Sequence, residues 1–499
     1  MQRHADVLAF LQKIPGTRPL AWAVFLSGLV LLSVHLWHDV SVFKYDAEVY
    51  WLMAILPDAV PIEYMIRGYF FPWVMGRIAY FFYHLGFNPL AAFKAYSSVV
   101  FALGLGLLLP VTYRRLADGQ VSWLRSLLLV LVVVAVYPGL IIYPLSDLPA
   151  ILLMWLGIYW VLCCRDHPPS DAYWIRMVYA LAAGVALGAA YNTRTIFLFA
   201  ICLVVLAVVL QFHQRRHFLI YMAIGLALSC IPQVLMNQKI HGITSANPAV
   251  AFASQNVSLF AQQLAWGVTV QRYETAIGPD QSGREPSRPG LIYADPDGVQ
   301  LTKDIAVAAY PLANGLTTAS SAVTNVSDYL KIVLKHPVDF AALYVRHFVN
   351  GLDVRDGTVY VRESSPDKKI TSLACITLVL LSLLSIKAGR ADRNTLVTTT
   401  PLTPAQFKPV RHSYLLTGAL VIASLAVVPG AMETRFMLAL LLYLWVAGIG
   451  HASWGSIAAE LRRYGWIYFG IAVVVYPSFY FITENTMESL QTPWMRNQF

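Results

Sequence analysis

Two acids two positions apart, Asp46 and Glu48, stand among Tyr45, Tyr50 and Trp51 just after the first apolar run of the chain. A carboxylate can accept a proton from an attacking hydroxyl while aromatic faces cover a sugar ring, so this group suits a carbohydrate site, although plain loop acids would read the same way. A third acid, Asp147, lies in the short connection Ser146-Asp147-Leu148-Pro149, where it also fits a helix N-cap. Arg194, in Asn192-Thr193-Arg194, and Arg435, in Glu433-Thr434-Arg435-Phe436, each sit at the end of an apolar run. The fork of a guanidinium matches phosphate, which makes both arginines candidate anion ligands. Snorkelling to an interface would account for Arg194 alone, and an ion pair with Glu433 for Arg435 alone.

The elements that must position these residues follow from composition. The chain has 499 residues, of which 58% are hydrophobic and 13% charged. Soluble domains carry roughly 25% charged residues. With a mean hydropathy of +0.58, much of the chain must have lipid as its solvent. The expected class is an all-α polytopic membrane protein. A hydropathy window of roughly 19 residues gives about eleven spans. They start near Leu20, Leu90, Trp123, Leu148, Trp174, Thr195, Phe218, Ile370, Ser413, Arg435 and Tyr464. The run from Leu20 to Trp37 follows Arg3, Lys13 and Arg18 but is too long for a signal peptide, so it reads as an uncleaved first span.

A formal charge of +9 would suggest nucleic acid in a soluble domain, but here membrane topology accounts for it. With the amino terminus in the cytoplasm, the cytoplasmic connections hold Arg114 and Arg115, Arg165, Arg215 and Arg216, Lys387 with Arg390 and Arg393, and Arg462 with Arg463. Asp46, Glu48, Asp147, Arg194 and Arg435 then fall at outer span ends, and the two arginines stand against the usual charge bias. Two outer connections are long. Residues 38–89 form a first outer loop in which Tyr69 to Tyr83 reads as an interfacial helix. Residues 237–369 form an extracytoplasmic segment with an amphipathic helix over Asn325 to Leu352. The chain thus divides into an amino-terminal membrane module at 1–236, the outer segment at 237–369, and a carboxyl-terminal module at 370–499. Five cysteines lie in or beside apolar runs and suggest neither a disulfide framework nor a thiolate metal site.

The span centres are nearly empty of charge, which argues against a proton relay or ion pathway. Taken together, Tyr45-Asp46-Ala47-Glu48-Val49-Tyr50-Trp51, Arg67-Gly68-Tyr69-Phe70-Phe71-Pro72, Ser146-Asp147-Leu148-Pro149-Ala150, Glu433-Thr434-Arg435-Phe436-Met437-Leu438 and His336-Pro337 resemble the GT-C class of membrane glycosyltransferases. The resemblance implies a GT-C type bundle and a polyprenyl or dolichyl phosphate sugar as donor. It further implies Asp46 as general base, with Glu48 and Asp147 as second choices. Arg194, Arg435 and Arg67 become the donor-phosphate ligands, and Tyr45, Tyr50, Trp51, Tyr69 and Glu433 line the substrate. If the chemistry uses a divalent cation, Asp46, Glu48 and Asp147 would hold it. The acceptor would be an envelope glycan, lipid or protein, and the membrane a bacterial inner membrane with the site facing the periplasm or exterior. A transporter or flippase for a lipid-linked substrate is the rival reading; it would need a polar route across the span centres. A scaffold of an envelope assembly complex is another.

Overall fold

The structure is a computed structural model that describes residues 17–43, 45–56, 68–117, 121–166, 173–211, 215–248, 260–261, 263–264, 267, 325–355, 357, 369–399, 409–430 and 432–488. Among these residues the chain is entirely helical, with no strand. That is the outcome expected in lipid, where each backbone N–H and C=O must find its partner within the same segment.

Helix α1 spans Thr17–His38, α2 Tyr45–Ile55, α3 Phe70–His84 and α4 Pro89–Leu103. A π-helical turn, Gly104–Leu108, leads into α5, Leu109–Ala117. After α6 (Trp123–Val136) and the short α7 (Gly139–Ile142) come α8 (Asp147–Asp166) and α9 (Tyr173–Thr193). A 3-10 turn, Thr195–Phe197, opens α10, Leu198–Gln211, and α11 runs from Arg215 to His241. The 237–369 segment contributes α12 (Val326–Lys335) and α13 (Pro337–Gly351). Then follow α14 (Lys369–Thr399), α15 (Pro409–Ala426), a 3-10 turn Thr434–Met437, α16 (Leu438–His451) and α17 (Trp454–Glu488).

Several boundaries are legible in local chemistry. Asn88 precedes Pro89 and its side chain accepts from the Leu90 amide at 2.8 Å, which starts α4. Asn325 does the same for α12 through the Asp328 amide at 3.0 Å. Proline at the first position of α13 breaks the expected single helix of 325–352 into two at His336. Residues 395–399, expected to begin a flexible connector, continue α14 as helix.

Eight helices are long and apolar enough to cross a membrane: 20–38, 89–117, 147–166, 173–193, 216–241, 369–389, 434–451 and 454–484. Three further expected spans fall on shorter apolar helices, at 123–136, 195–210 and 414–426. The chain is therefore a polytopic helical membrane protein with eight helices of spanning length among the described residues, and the expected count of eleven is not reached on length. The stretch expected to lie in the interface is helical as α3, which buries Phe71, Met75 and Ala79 and exposes Trp73, Tyr80, Phe81 and Tyr83.

Helix α9 packs against α8 on one side and α11 on the other. The crossing with α11 is a backbone approach: a Cβ on Gly184 would lie 1.9 Å from the Met222 carbonyl oxygen. Small residues allow such contact where lipid gives no hydrophobic drive to associate. The buried centre between α6, α8 and α16 holds Leu129, Trp155 and Trp445. At one end of this bundle the turns at 137–147, 193–197 and 432–437 and the start of α2 come together.

Candidate active site

Two helix starts and two turns carry the cluster. Asp46 lies in the first turn of α2 and Asp147 in the first turn of α8. Arg194 is the extended residue between α9 and the 195–197 turn. Glu433 and Arg435 flank Thr434 at the turn that opens α16, where the extended backbone of Glu433 meets the 3-10 turn. Acids in a helix's first turn interact favourably with its dipole, which gives α2 and α8 a local reason to begin where they do.

Five side chains from these four segments meet. Arg435 Nε pairs with Glu433 Oε2, and Arg435 Nη2 lies 2.5 Å from Asp46 Oδ2. Arg435 Nη1 stands 3.6 Å from Asp147 Oδ2, while Arg194 Nη1 pairs with Asp147 Oδ1. Both guanidiniums thus reach the same carboxylate, and the ring of Phe436 lies under both, at 5.0 Å from Arg194 Cζ and 5.7 Å from Arg435 Cζ. Asp147, Glu433 and Arg435 are buried, whereas the Asp46 side chain keeps 19% of its exposure and Arg194 21%. Desolvation, followed by the like charge of Arg435, lowers the Arg194 pKa to about 10, so it stays a cation at neutral pH. Two cations held this close are tolerable because carboxylates stand between them.

The supporting contacts are specific. Thr434 Oγ1 and Tyr137 Oη share a hydrogen bond of 2.7 Å, and both residues are buried. Ser146 Oγ donates to Tyr50 Oη at 2.7 Å, joining the connection before Asp147 to α2. Gly68 presses on the end of α9: a Cβ there would lie 1.3 Å from the Asn192 carbonyl oxygen, so only glycine lets the chain before α3 approach the residues beside Arg194. Next to it the Tyr69 amide donates to Gln233 Oε1 of α11 at 2.8 Å. Gln233 Nε2 in turn donates to Asn237 Oδ1 at 3.0 Å, and Asn237 Nδ2 donates to the carbonyls of Ser245 and Asn247 at 2.7 and 2.8 Å. One chain of buried amides therefore ties the start of α3 to the root of the outer segment.

The expected site residues divide accordingly. Asp46, Asp147, Arg194, Arg435 and Glu433 are brought together, and Tyr50 is buried beside them with its ring 5.7 Å from Phe71. Glu48 is a correction. Positions two apart on a helix point in nearly opposite directions, so with Asp46 turned inward Glu48 is exposed and stands outside the cluster. Trp51 packs its ring against Phe43 and Phe93, at 5.4 and 5.8 Å, in the seam between α2 and α4. Tyr69 is placed by its backbone amide, as above. Arg67 and the side chain of Tyr45 lie outside the described residues. The metal set Asp46, Glu48 and Asp147 does not assemble, because Asp46 and Asp147 each face a guanidinium and Glu48 points away. Among the described residues no group of three or more His, Cys, Asp or Glu is arranged to hold a metal ion.

A second buried ionic group escaped the sequence reading. Arg355, wholly buried, pairs with Asp353 Oδ2 at 2.8 Å and Glu484 Oε1 at 2.9 Å. Lys369 pairs with the same glutamate, donates to Thr483 Oγ1 at 3.3 Å and lies 3.8 Å from the Tyr480 ring centre. Ser372 Oγ donates to Asp353 Oδ1. These contacts fasten the end of α13 and the start of α14 to α17. The segment then continues to Gly357, whose carbonyl accepts from the Gly139 amide at 2.8 Å, two residues after Tyr137. The signal available in sequence was a further pair of cations, Arg355 and Lys369, hidden because basic residues in a long polar stretch draw no notice.

Compared with known protein families, with curated proteins and with solved structures, the chain matches none.

Proposed function

We propose that this chain is an integral membrane glycosyltransferase of the GT-C type. It moves a sugar from a polyprenyl or dolichyl phosphate donor to an acceptor hydroxyl at the outer face, with inversion at the anomeric carbon. Asp46 takes the acceptor's proton as the hydroxyl oxygen bonds to the anomeric carbon. The bond from that carbon to the phosphate oxygen breaks on the opposite side, and its electron pair leaves on the lipid phosphate. Arg194 and Arg435 hold the charge that grows there, with Arg67 of the first outer loop as a third cation. No metal step is part of this scheme.

The observation that carries the reading is the meeting of an accessible carboxylate with two guanidiniums, from segments hundreds of residues apart, at one end of the helical bundle. A solvated surface does not require five such charges to converge, and structural ion pairs alone do not explain why an acid partly open to the outside is among them. The reading takes in the full topology: cytoplasmic amino terminus, eleven spans with the three shorter helices counted, the 237–369 segment outside, and a bacterial inner membrane. Purified protein incubated with a panel of radiolabelled polyprenyl phosphate sugars tests it, with and without chelator. The expected result is transfer from one member of the panel with inverted anomeric configuration. Retention of configuration, or no transfer from any donor to envelope extracts, would sink it.

A further inference from the structure

Arg435 is shared between the two halves of this chemistry, because it touches the base and belongs to the phosphate site. We propose that the donor phosphate switches the base on: by taking Arg435 it releases Asp46, so donor binding precedes and enables deprotonation of the acceptor, an inference that rests on the transfer reading above. A carboxylate gripped by a guanidinium is a weak base, since the nearby positive charge favours its ionised form and the fork occupies the oxygen that would take the proton. Asp46 is gripped in this way, at 2.5 Å from Arg435 Nη2.

The partners of Arg435 differ in how easily each can be given up. Glu433 is two residues away on the same turn, buried and held through Nε rather than through Nη2, the nitrogen that meets Asp46. Asp147 is buried too and already neutralised by Arg194. Asp46 arrives from another helix and is the most exposed of the three, so water can hydrate it once released. Releasing it from Arg435 exposes a carboxylate that water can reach, whereas Glu433 and Asp147 are buried and would have to move without water to hydrate them. A phosphate oxygen accepts from the same fork as a carboxylate. It therefore competes for Nη2 with the one acid the reaction needs as its base. In the step that follows, the acceptor proton passes to Asp46, the acceptor oxygen bonds to the anomeric carbon, and the bond from that carbon to the phosphate oxygen breaks with its electron pair staying on the phosphate, whose charge faces the guanidinium that freed the base. Without donor the base stays masked, which guards the site against idle acceptor chemistry.

Direct competition has a signed consequence: without its carboxylate, the site should hold lipid phosphate more tightly. The probe is a sugar-free C55 polyprenyl monophosphate, titrated into nanodisc-held full-length protein. Asp46→Asn should tighten binding by about tenfold, the equivalent of losing one charge-assisted hydrogen bond to the competitor. Asp46→Ala is the second variant, in case the amide of Asn re-pairs with Arg435, and should shift in the same direction. Glu48→Gln removes an equal charge two residues away on the exposed side of α2, and should shift binding by less than about twofold, because exposed charges are screened. Binding unchanged or weakened in both Asp46 variants would overturn the switch. Equal tightening in Glu48→Gln would overturn it too, by showing a general charge effect. Saturable binding to wild type with no Asp46 effect leaves the donor reading standing, whereas no saturable binding to any protein removes the donor reading and the switch with it.

Discussion

Truncating Arg435 to Ala should destabilise the protein chiefly at Glu433. Three carboxylates lose a partner in this variant, but they do not lose equally. Asp147 keeps Arg194, and Asp46 is open enough to be hydrated. Glu433 is buried, with 6% of its side chain exposed, and its ion pair within the cluster runs to Arg435. Breaking a buried pair from one side costs on the order of 3–5 kcal/mol, against about 0–1 kcal/mol for an exposed pair such as Lys331–Asp328. The expected loss is therefore about 3 kcal/mol, not three times that. Neutralising that buried acid should return part of it, so Arg435→Ala/Glu433→Gln should be more stable than Arg435→Ala alone. The assay is the fraction remaining monodisperse in detergent after heating, compared across the two single variants and the double. Additive losses in the double variant would show that Glu433 is not left carrying a buried charge, and would refute the energetic account of the cluster.

Gln233→Leu removes the acceptor for the Tyr69 amide and the donor to Asn237 at once, and an unsatisfied buried group costs about 1–3 kcal/mol. Amide exchange at Tyr69 and the first turn of α3 should quicken while exchange in α8 stays unchanged; equal protection in both would show that Gln233 does not anchor α3. His347, buried in α13 with Nδ1 2.7 Å from the Val428 carbonyl oxygen, has its pKa lowered by desolvation from 6.5 to about 4. Between those values the unfolded chain binds a proton that the folded chain refuses, so this contribution is complete above pH about 6.5 and is lost as pH falls toward 4, up to about 3 kcal/mol. Thermal stability of wild type should drop through that window more steeply than that of His347→Gln, and parallel curves would contradict the assignment.

The outward arginines were the most readable feature of the sequence. A membrane topology leaves few reasons for Arg194 and Arg435 to stand on the outer side, and both prove to reach Asp147. Glu48 was misread because the acids were taken as loop residues; once α2 begins at Tyr45, helical geometry sends positions two apart to opposite sides. Gln233 and Asn237 went unnoticed because only ionisable groups within spans were weighed, although an amide pair at i and i+4 in an apolar helix is an equally costly feature in lipid. Asp353, Arg355 and Glu484 could not be linked from sequence at all. Their partnership depends on α17 lying against the end of α13, a matter of packing 129 residues apart that no local pattern encodes.

The most direct measurement is turnover of Asp46→Asn against wild type, in detergent, with the donor that wild type uses. An amide in place of the carboxylate keeps the shape and loses the base, so turnover should fall on the order of 100- to 10,000-fold. The variant should still elute as a monodisperse protein and hold the lipid phosphate at least as tightly as wild type. Turnover within about twofold of wild type would contradict the account, because no general-base role is compatible with so small a change.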